Sequence, residues 1–384
     1  MTLIVYLAIV VSCTLIFVQL TTILLAIVRM RQKYQSSVTH LSPHITLIRP
    51  LCGLDHDTEE LLLTCFQQNY PHYDILFCVA SQQDPIIPHV YRMIEDHPHI
   101  KAKLLIGDDV ISQNPKLNNM VKAWRESDAQ WLAMADSNLL LPADYLSTLM
   151  NTFIQKNNTG LVSSPAIGIR PANLWGSLEA AILNSHQARW QFFAAAIGLD
   201  FAQGKTLFWR RDIVDLHGGL NQLGTEVAED VASTKLVHRL GLKVRLTPHP
   251  FAQPIGQRTF RSVWDRQLRW ARIRRVGFLW LFLPEILLGS VPVLISTIYL
   301  ASIRIIPSFM PLLVFIVWYG LEWGMAKKQQ WPHALRDIVA MIMRDMLLPM
   351  LWIWCWAGKN FVWRGNAMTT QNSAHVQPHE NVEN

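Results

Sequence analysis

Gln130-Trp131-Leu132-Ala133-Met134-Ala135-Asp136-Ser137-Asn138 is the stretch that decides the fold. It is an apolar run that stops at a carboxylate. Consecutive apolar residues without polar alternation read as a strand covered on both faces, and such strands belong to parallel sheets flanked by helices. Ligands of those sheets sit beyond the carboxyl ends of the strands. Asp136 stands at such an end, with Asn138 two residues on.

The same grammar continues outward. Upstream, residues 45–49, 74–79 and 103–106 read as strands, and helices are expected over 58–67, 90–96 and 117–126. Downstream, 145–155 reads as a helix, 161–163 as a short strand, and 230–240 as a helix that stops at Gly241. Strands alternating with helices predict an α/β domain built on a largely parallel sheet.

Two further acidic positions fall where chemistry is expected. Asp84, in Ser81-Gln82-Gln83-Asp84-Pro85, follows the strand at 74–79, and Glu229-Asp230 opens the helix at 230–240. Taken singly, an Asp after a strand caps a turn and an acidic pair at a helix start balances the macrodipole. Their order is the signal. A carboxylate at a strand end suits a divalent cation that stabilises a departing diphosphate. A carboxylate within hydrogen-bond reach of a hydroxyl suits a general base. Last comes Arg266-Gln267-Leu268-Arg269-Trp270, in an amphipathic helix expected over 262–275 that also carries Arg272, Arg274 and Arg275. Arginines there can fork onto a diphosphate or onto lipid headgroups. By themselves, Trp270 reads as an interfacial anchor and His186 as a satisfied structural histidine. The chain has no Walker A loop, HExxH, GxSxG, or GxGxxG after a strand.

The two ends read differently from the middle. No charged side chain occurs between Thr2 and Val28, and Arg29, Arg31 and Lys33 follow. About 20 apolar residues cross a bilayer, so this is a retained anchor, with the following domain on the cytoplasmic side. A cleaved signal peptide is disfavoured by the length of the run and the lack of a basic start. Residues 281–303, 310–325 and 338–357 are further membrane candidates, the last interrupted by Arg344-Asp345, which makes it re-entrant or buries the pair against protein. The expected organisation is an anchor over 1–30, a cytoplasmic domain over 40–277 that includes the interfacial helix 262–275, a membrane region over 278–360, and a polar, disordered tail over 366–384. Charged residues are only 16% of the chain and the net charge is +6; ordinary soluble domains carry roughly 25%. The basic residues cluster beside apolar segments, which favours an anionic lipid surface over nucleic acid. The cysteines Cys13, Cys52, Cys65, Cys78 and Cys355 are odd in number and form no CxxC pair, which argues against a disulfide framework or a zinc site.

The ordered set of Asp84, Asp136, Asp230 and Arg266-Gln-Leu-Arg269-Trp270 resembles the ceramide glucosyltransferases, inverting GT-A glycosyltransferases that act on lipids. The surrounding text is similar too: Arg49-Pro50-Leu51-Cys52-Gly53, Asn69-Tyr70-Pro71, Gly107, Asn114-Pro115-Lys116-Leu117-Asn118-Asn119 and Ser185-His186. The resemblance runs from about Leu47 to Gly277 and more weakly to Trp363-Arg-Gly. It implies a Rossmann-like GT-A domain, with Asp84 binding UDP, Asp136 holding Mg²⁺ or Mn²⁺, and Asp230 as catalytic base. Arg266, Arg269 and Trp270 would line the diphosphate and acceptor side. Lys116 would sit near the donor and His186 near the active site. The implied reaction joins glucose from UDP-glucose to ceramide with inversion, in a bacterial inner membrane. The second aspartate stands in Asp-Ser-Asn rather than Asp-x-Asp, which leaves metal binding by a second side chain open. Hopanoid N-acetylglucosaminyltransferases share much of the pattern. A processive polysaccharide synthase needs more spanning helices than are read here. A non-catalytic lipid-binding protein would not be expected to retain the full carboxylate set.

Overall fold

The computed structural model describes residues 2–31, 42–358, 360–363 and 366–369. Lys33, Arg364, Gly365 and residues 370–384 lie outside them. The chain forms two compact units.

The first unit, residues 36–164, 201–247 and 359–384, is built on a seven-stranded sheet. Its elements are β1 (Ile45–Leu51), α2 (Thr58–Phe66), β2 (Tyr73–Val79), α3 (Ile87–Asp96), β3 (Ala102–Ile106), α4 (Pro115–Glu126), β4 (Trp131–Ala135), α5 (Tyr145–Ile154), β5 (Thr159–Ser163), β7 (Thr206–Arg210), α8 (Arg211–Asp215), α9 (Gly219–Leu223), α10 (Glu229–Arg239) and β8 (Lys243–Leu246). The strand order is β3-β2-β1-β4-β7-β5-β8. β1 pairs in parallel with β2 and β4, and β2 with β3, as the apolar runs predict. Every residue of β1 and β4 is buried. The order reverses at β1, and the crevice at such a switch point is where doubly wound sheets bind ligands. The departure from an all-parallel sheet is β7, antiparallel to both β4 and β5. Strands β10 (Asn360–Trp363) and β11 (Asn366–Thr369) form a hairpin that extends into the stretch expected as tail.

The second unit comprises residues 1–35, 165–200 and 248–358. It holds α1 (Thr2–Arg29), β6 (Ala166–Pro171), α6 (Leu174–Ala181), a π-helical stretch (Ile182–Ala188), α7 (Arg189–Ala196), β9 (Phe251–Gly256), α11 (Phe260–Gly277), α12 (Leu279–Phe282), a 3₁₀ turn (Leu283–Leu287), α13 (Val291–Ser302), α14 (Met310–Lys328) and α15 (Leu335–Trp354). Helix α1 packs against α7, α13 and α14. Among the described residues one helix, Leu3–Arg29, is long and apolar enough to cross a membrane by itself; Leu279–Leu287 and Val291–Ser302 meet that test together, bent by 41°. The segment read at 281–303 is therefore broken. Pro284 lacks the amide for a continuous helix, and Gly289 takes φ +97, where an added Cβ would lie 2.9 Å from Asp345 Oδ1. Helices α14 and α15 carry charged side chains within their length and do not pass as single spans. Arg344 and Asp345 are buried in an unbroken α15 and paired at 2.7 Å. Glu322 of α14, 0% exposed, accepts from Gln19, Arg189 and Arg344.

Candidate active site at the carboxyl end of the central strands

The site begins with the end of β4. Asp136 leaves the sheet one residue after Ala135, and its amide donates to the Lys205 carbonyl at 3.0 Å. The loop that follows is held by Arg49, fully buried in β1, whose guanidinium donates to the carbonyls of Ser137 and Leu139. Helix α4 enters from above this end. Asn114 caps it by accepting from the amides of Lys116 and Leu117, and Pro115 fits the first turn. That cap places Lys116 on the first turn, facing Asp136.

Lys116 Nζ reaches Asp136 Oδ1 at 2.6 Å, Glu229 Oε1 at 2.6 Å and the Gly204 carbonyl at 2.5 Å. Three ammonium protons meet three acceptors. Lys205 Nζ lies 3.0 Å from Asp136 Oδ2 and 2.9 Å from Asn138 Oδ1. The buried Glu229 accepts from Asn114 Nδ2 at 2.6 Å through its other oxygen. Asp230, next on α10, accepts from the Gly204 amide and from its own neighbour Val231, each at 2.8 Å. Gly204 is thus the hinge of the cluster. Its amide serves Asp230 and its carbonyl serves Lys116, and an added Cβ would lie 2.8 Å from Glu229 Oε1.

Charge sets the protonation states. Burial works against the Asp136 carboxylate, but the Lys116 and Lys205 ammonium groups outweigh it and hold its pKa well below the usual range. Burial likewise opposes the Lys116 charge, and Asp136 and Glu229 reverse the balance and raise its pKa. Asp230 behaves in the opposite way: burial first, then the like charge of Glu229, pushes it up to about 7. Two carboxylates at one site with pKa values driven apart are the signature of divided labour.

Asp84 sits in the turn after β2 and is partly buried. Both its oxygens accept from the Gly53 amide, at 3.0 and 2.9 Å, which ties it to the end of β1. Asn119 spans the same two strand ends, donating to the carbonyls of Cys78 and Leu51. The sheet unit therefore gathers Asp84, Lys116, Asp136 and Asp230 of the expected residues at the carboxyl ends of its strands and the loops beside them.

The others lie in the second unit. Arg266 pairs at 2.8 Å with Glu179 of α6, a carboxylate 0% exposed whose Oε2 has no partner. Gln267 accepts from Gln187 at 3.1 Å, and Trp270 packs on Ala180, Leu183 and Ile255. Arg272 and Arg275 donate to the carbonyls of Ala357 and Cys355, and Arg274 forks onto Glu285 at 2.8 Å on both arms. These four arginines, expected to face headgroups or diphosphate, are engaged by their own chain. Arg269 lies on the same helix, between Gln267 and Trp270. His186 is buried on the π-helical stretch, where burial and then the positive charges of Arg344, Arg274 and Arg189 hold its imidazole well below its ordinary pKa and neutral. Such π-turns recur at functional sites.

Sequence reasoning missed Lys205, Gly204 and Glu179. A signal for Lys205 exists in hindsight of topology. β7 runs antiparallel to β4 with Ala135 opposite Thr206, so the residue before β7 lies beside the residue after β4. Nothing in the local sequence announced that direction.

A divalent cation fits this donor set. Asp136 is 23% exposed, is kept ionised by its ammonium neighbours, and has the amide oxygen of Asn138 within its loop. Among the described residues no three His, Cys, Asp or Glu side chains cluster to cage an ion. Mg²⁺ and Mn²⁺ in nucleotide enzymes commonly take one or two carboxylates and complete their shell with phosphate and water.

Residues 4–376 match the glycosyl transferase family 21 pattern. The chain belongs to that family. This family 21 member is a glycosyltransferase, and its sheet is the GT-A fold. Ceramide glucosyltransferase 3 of Caenorhabditis elegans is 22% identical over 344 residues, covering 88% of this chain and 74% of the relative. Ceramide glucosyltransferase 1 of the same organism is 25% identical over 249 residues, covering 65% and 53%. The ceramide glucosyltransferase of Komagataella phaffii is 24% identical over 287 residues, covering 60% and 56%. The match thus spans about half the length of the last two. Among solved structures, the mannosyltransferase PcManGT of Pyrobaculum calidifontis, in complex with GDP-Man and Mn²⁺, superposes with a TM-score of 0.53 at 16% identity, covering 90% of this chain and 99% of that one.

Proposed function

We propose that this glycosyltransferase moves glucose from UDP-glucose to the primary hydroxyl of ceramide, inverting the anomeric carbon. The observation that carries the reading is the divided pair of carboxylates: Asp136 held ionised between two ammonium groups after β4, and Asp230 raised towards neutrality at the start of α10. The relatives named ceramide glucosyltransferase support the lipid acceptor, and a neighbour solved with a nucleotide sugar and Mn²⁺ supports the donor class. Asp136, helped by Asn138, would hold a divalent cation, which would supply charge stabilisation on the diphosphate. Asp84 binds the UDP moiety. Lys116 fixes the geometry of Asp136 and Glu229. Asp230 takes the acceptor proton as the hydroxyl oxygen bonds to the anomeric carbon, and UDP leaves with the electron pair of the broken bond. Arg266, Arg269 and Trp270 serve the diphosphate and acceptor side, and His186 contributes a neutral imidazole. The domain lies over 40–277 at the cytoplasmic face of a bacterial inner membrane, anchored by 1–30 and by a multi-pass region over 278–360, with 366–384 as a polar tail.

The test is a transfer assay on membranes carrying the protein. Ceramide, diacylglycerol and a polyol hopanoid are each offered with labelled UDP-glucose, UDP-galactose or UDP-N-acetylglucosamine. Labelled glucosylceramide from the wild type, absent with Asp230→Ala, is the expected result. Label on the hopanoid from UDP-N-acetylglucosamine would replace the substrate assignment, and no label on any lipid would remove it.

A further inference from the structure

The second unit holds an open cleft of about 340 Å³ between the π-helical stretch, α11, the 3₁₀ turn and α15. Its lining divides by chemistry. Ile182, Phe282, Leu348 and Trp352 supply hydrocarbon. Phe282 and Trp352 stack with ring centroids 5.9 Å apart, and the indole N–H is spent on the Phe282 carbonyl. His186 and Gln267, 6% and 3% exposed, supply polar atoms. Gln267 accepts from Gln187 through Oε1, and its Nε2 is a buried donor without a partner. Among the described residues the His186 ring has no hydrogen-bond partner. The ring is neutral, so one of its nitrogens is a bare acceptor. Buried polar groups are nearly always paired. An unpaired donor and an unpaired acceptor lining one cleft therefore point to a ligand that brings the complement of each.

Charge and space narrow that ligand. Arg274 and Glu285 also line the cleft and fork onto each other at 2.8 Å on both arms. The ions are already compensated, which favours a neutral polar group over a phosphate or an ammonium. A secondary amide carries one acceptor and one donor; an ester carries acceptors only. The volume suits a headgroup with its first methylenes rather than two acyl chains. The three residues before Phe282 are the exposed Leu279, Trp280 and Leu281, with Trp280 83% exposed. Hydrocarbon leaving the cleft past Phe282 thus has apolar surface to follow.

We propose that this cleft seats the amide linkage of the lipid acceptor, with Gln267 donating to its carbonyl oxygen and His186 accepting from its N–H, so that amide-linked lipids are selected over ester-linked ones. The inference rests on the reading of a ceramide-type acceptor and adds the groups that recognise it. A lipid without the N–H leaves the His186 nitrogen buried and unpaired, and sites built to hydrogen-bond a substrate reject analogues for that reason.

The experiment uses the full chain in detergent. Equilibrium dialysis compares the binding of labelled short-chain ceramide, its N-methylated analogue and short-chain diacylglycerol, and transfer from UDP-glucose is followed on the same three. The wild type should bind ceramide about tenfold more tightly than either of the others, a comparison that needs no variant. H186F should lose the preference through weaker ceramide binding, with diacylglycerol affinity unchanged. H186Q, which restores an acceptor, should recover it. Q267L should weaken all three ligands alike, since all three carry a carbonyl. Transfer to ceramide by a wild type that binds ceramide and its N-methylated analogue equally overturns the inference and leaves the acceptor reading standing; so does an H186F protein that keeps the preference. Absence of both binding and transfer with ceramide overturns the acceptor reading, and the assignment of the cleft with it.

Discussion

Asp230 owes its properties to two neighbours, and both can be tested. Its carboxyl is raised to about 7 by burial and then by Glu229. A base works only when deprotonated, so with Asp230 in the proposed role activity is retained above that pH and lost as the pH falls through it. The acid limb of kcat/KM should titrate near pH 7 and drop tenfold per unit below it. Glu229→Gln removes the like charge and should move that limb to lower pH; a limb that stays put shows that another group is being titrated. Asp230→Asn should lower transfer by at least about 10²-fold, the lower end of general-base contributions, while UDP still binds in the presence of Mn²⁺. Asp136→Asn should instead lose the metal-dependent part of UDP binding, which calorimetry separates from turnover.

At the scale of elements, the site depends on three chain ends meeting: the end of β4, the start of α4 and the start of α10. Gly204 lies among them, and Gly204→Ala places a Cβ 2.8 Å from Glu229 Oε1 and 3.4 Å from Lys116 Nζ. Overpacking of this kind costs about 1–3 kcal/mol, and here it falls on the groups that set Asp136 and Asp230. Transfer should drop more than thermal stability does, and equal losses in both would point to a purely structural glycine. The helix carrying Arg266 offers a parallel case. Glu179→Gln leaves the guanidinium without its buried anion and should raise the KM for the donor while the chain still folds; unchanged kinetics would make the pair a packing device. How much of this was legible follows from the kind of signal each element emits. The central strands Ile45–Leu51, Tyr73–Val79 and Trp131–Ala135 are continuous apolar runs, and their ends pointed to Asp84 and Asp136. The helices Leu174–Ala181 and Arg189–Ala196 were not read, because buried Glu179, Arg189 and Gln191 interrupt the apolar pattern. Partners supplied by distant segments make those polar residues tolerable, and local sequence does not reveal them. Strand β7 (Thr206–Arg210) was not read at all, and Lys205, just before it, was missed with it. The break at Gly289 was missed because hydropathy does not record a left-handed φ or the Asp345 carboxylate beside it.

At the scale of the molecule, the N-terminal helix is read from sequence as an anchor, yet its contacts make it part of a folded unit. Gln19 of α1 is 3% exposed. It donates to Glu322 at 3.0 Å and accepts from Arg189 at 2.7 Å. Glu322 in turn lies 2.9 Å from Arg344, which pairs with Asp345, and Asp345 accepts from the Ser290 amide and from Tyr319. The network therefore links α1, α7, α14 and α15 through groups that are almost fully buried. Opening such a network by removing one charge costs about 3–5 kcal/mol, because the remaining charges stay buried without their partner. Glu322→Gln leaves Arg189 without its paired carboxylate and should lower the melting temperature in detergent by several degrees at least. Deleting residues 2–29 removes Gln19 together with the surface of α1 that covers α7 and α13. If α1 were a simple tether, the shortened chain would be monodisperse on size exclusion and would keep the transferase activity of the full chain on acceptor presented in micelles. The buried network predicts otherwise: the truncated chain should aggregate or fail to accumulate, and fusing a foreign membrane-spanning helix in place of α1 should restore membrane attachment without restoring a folded, active enzyme. Recovery of activity with the foreign helix would show that α1 acts by location alone.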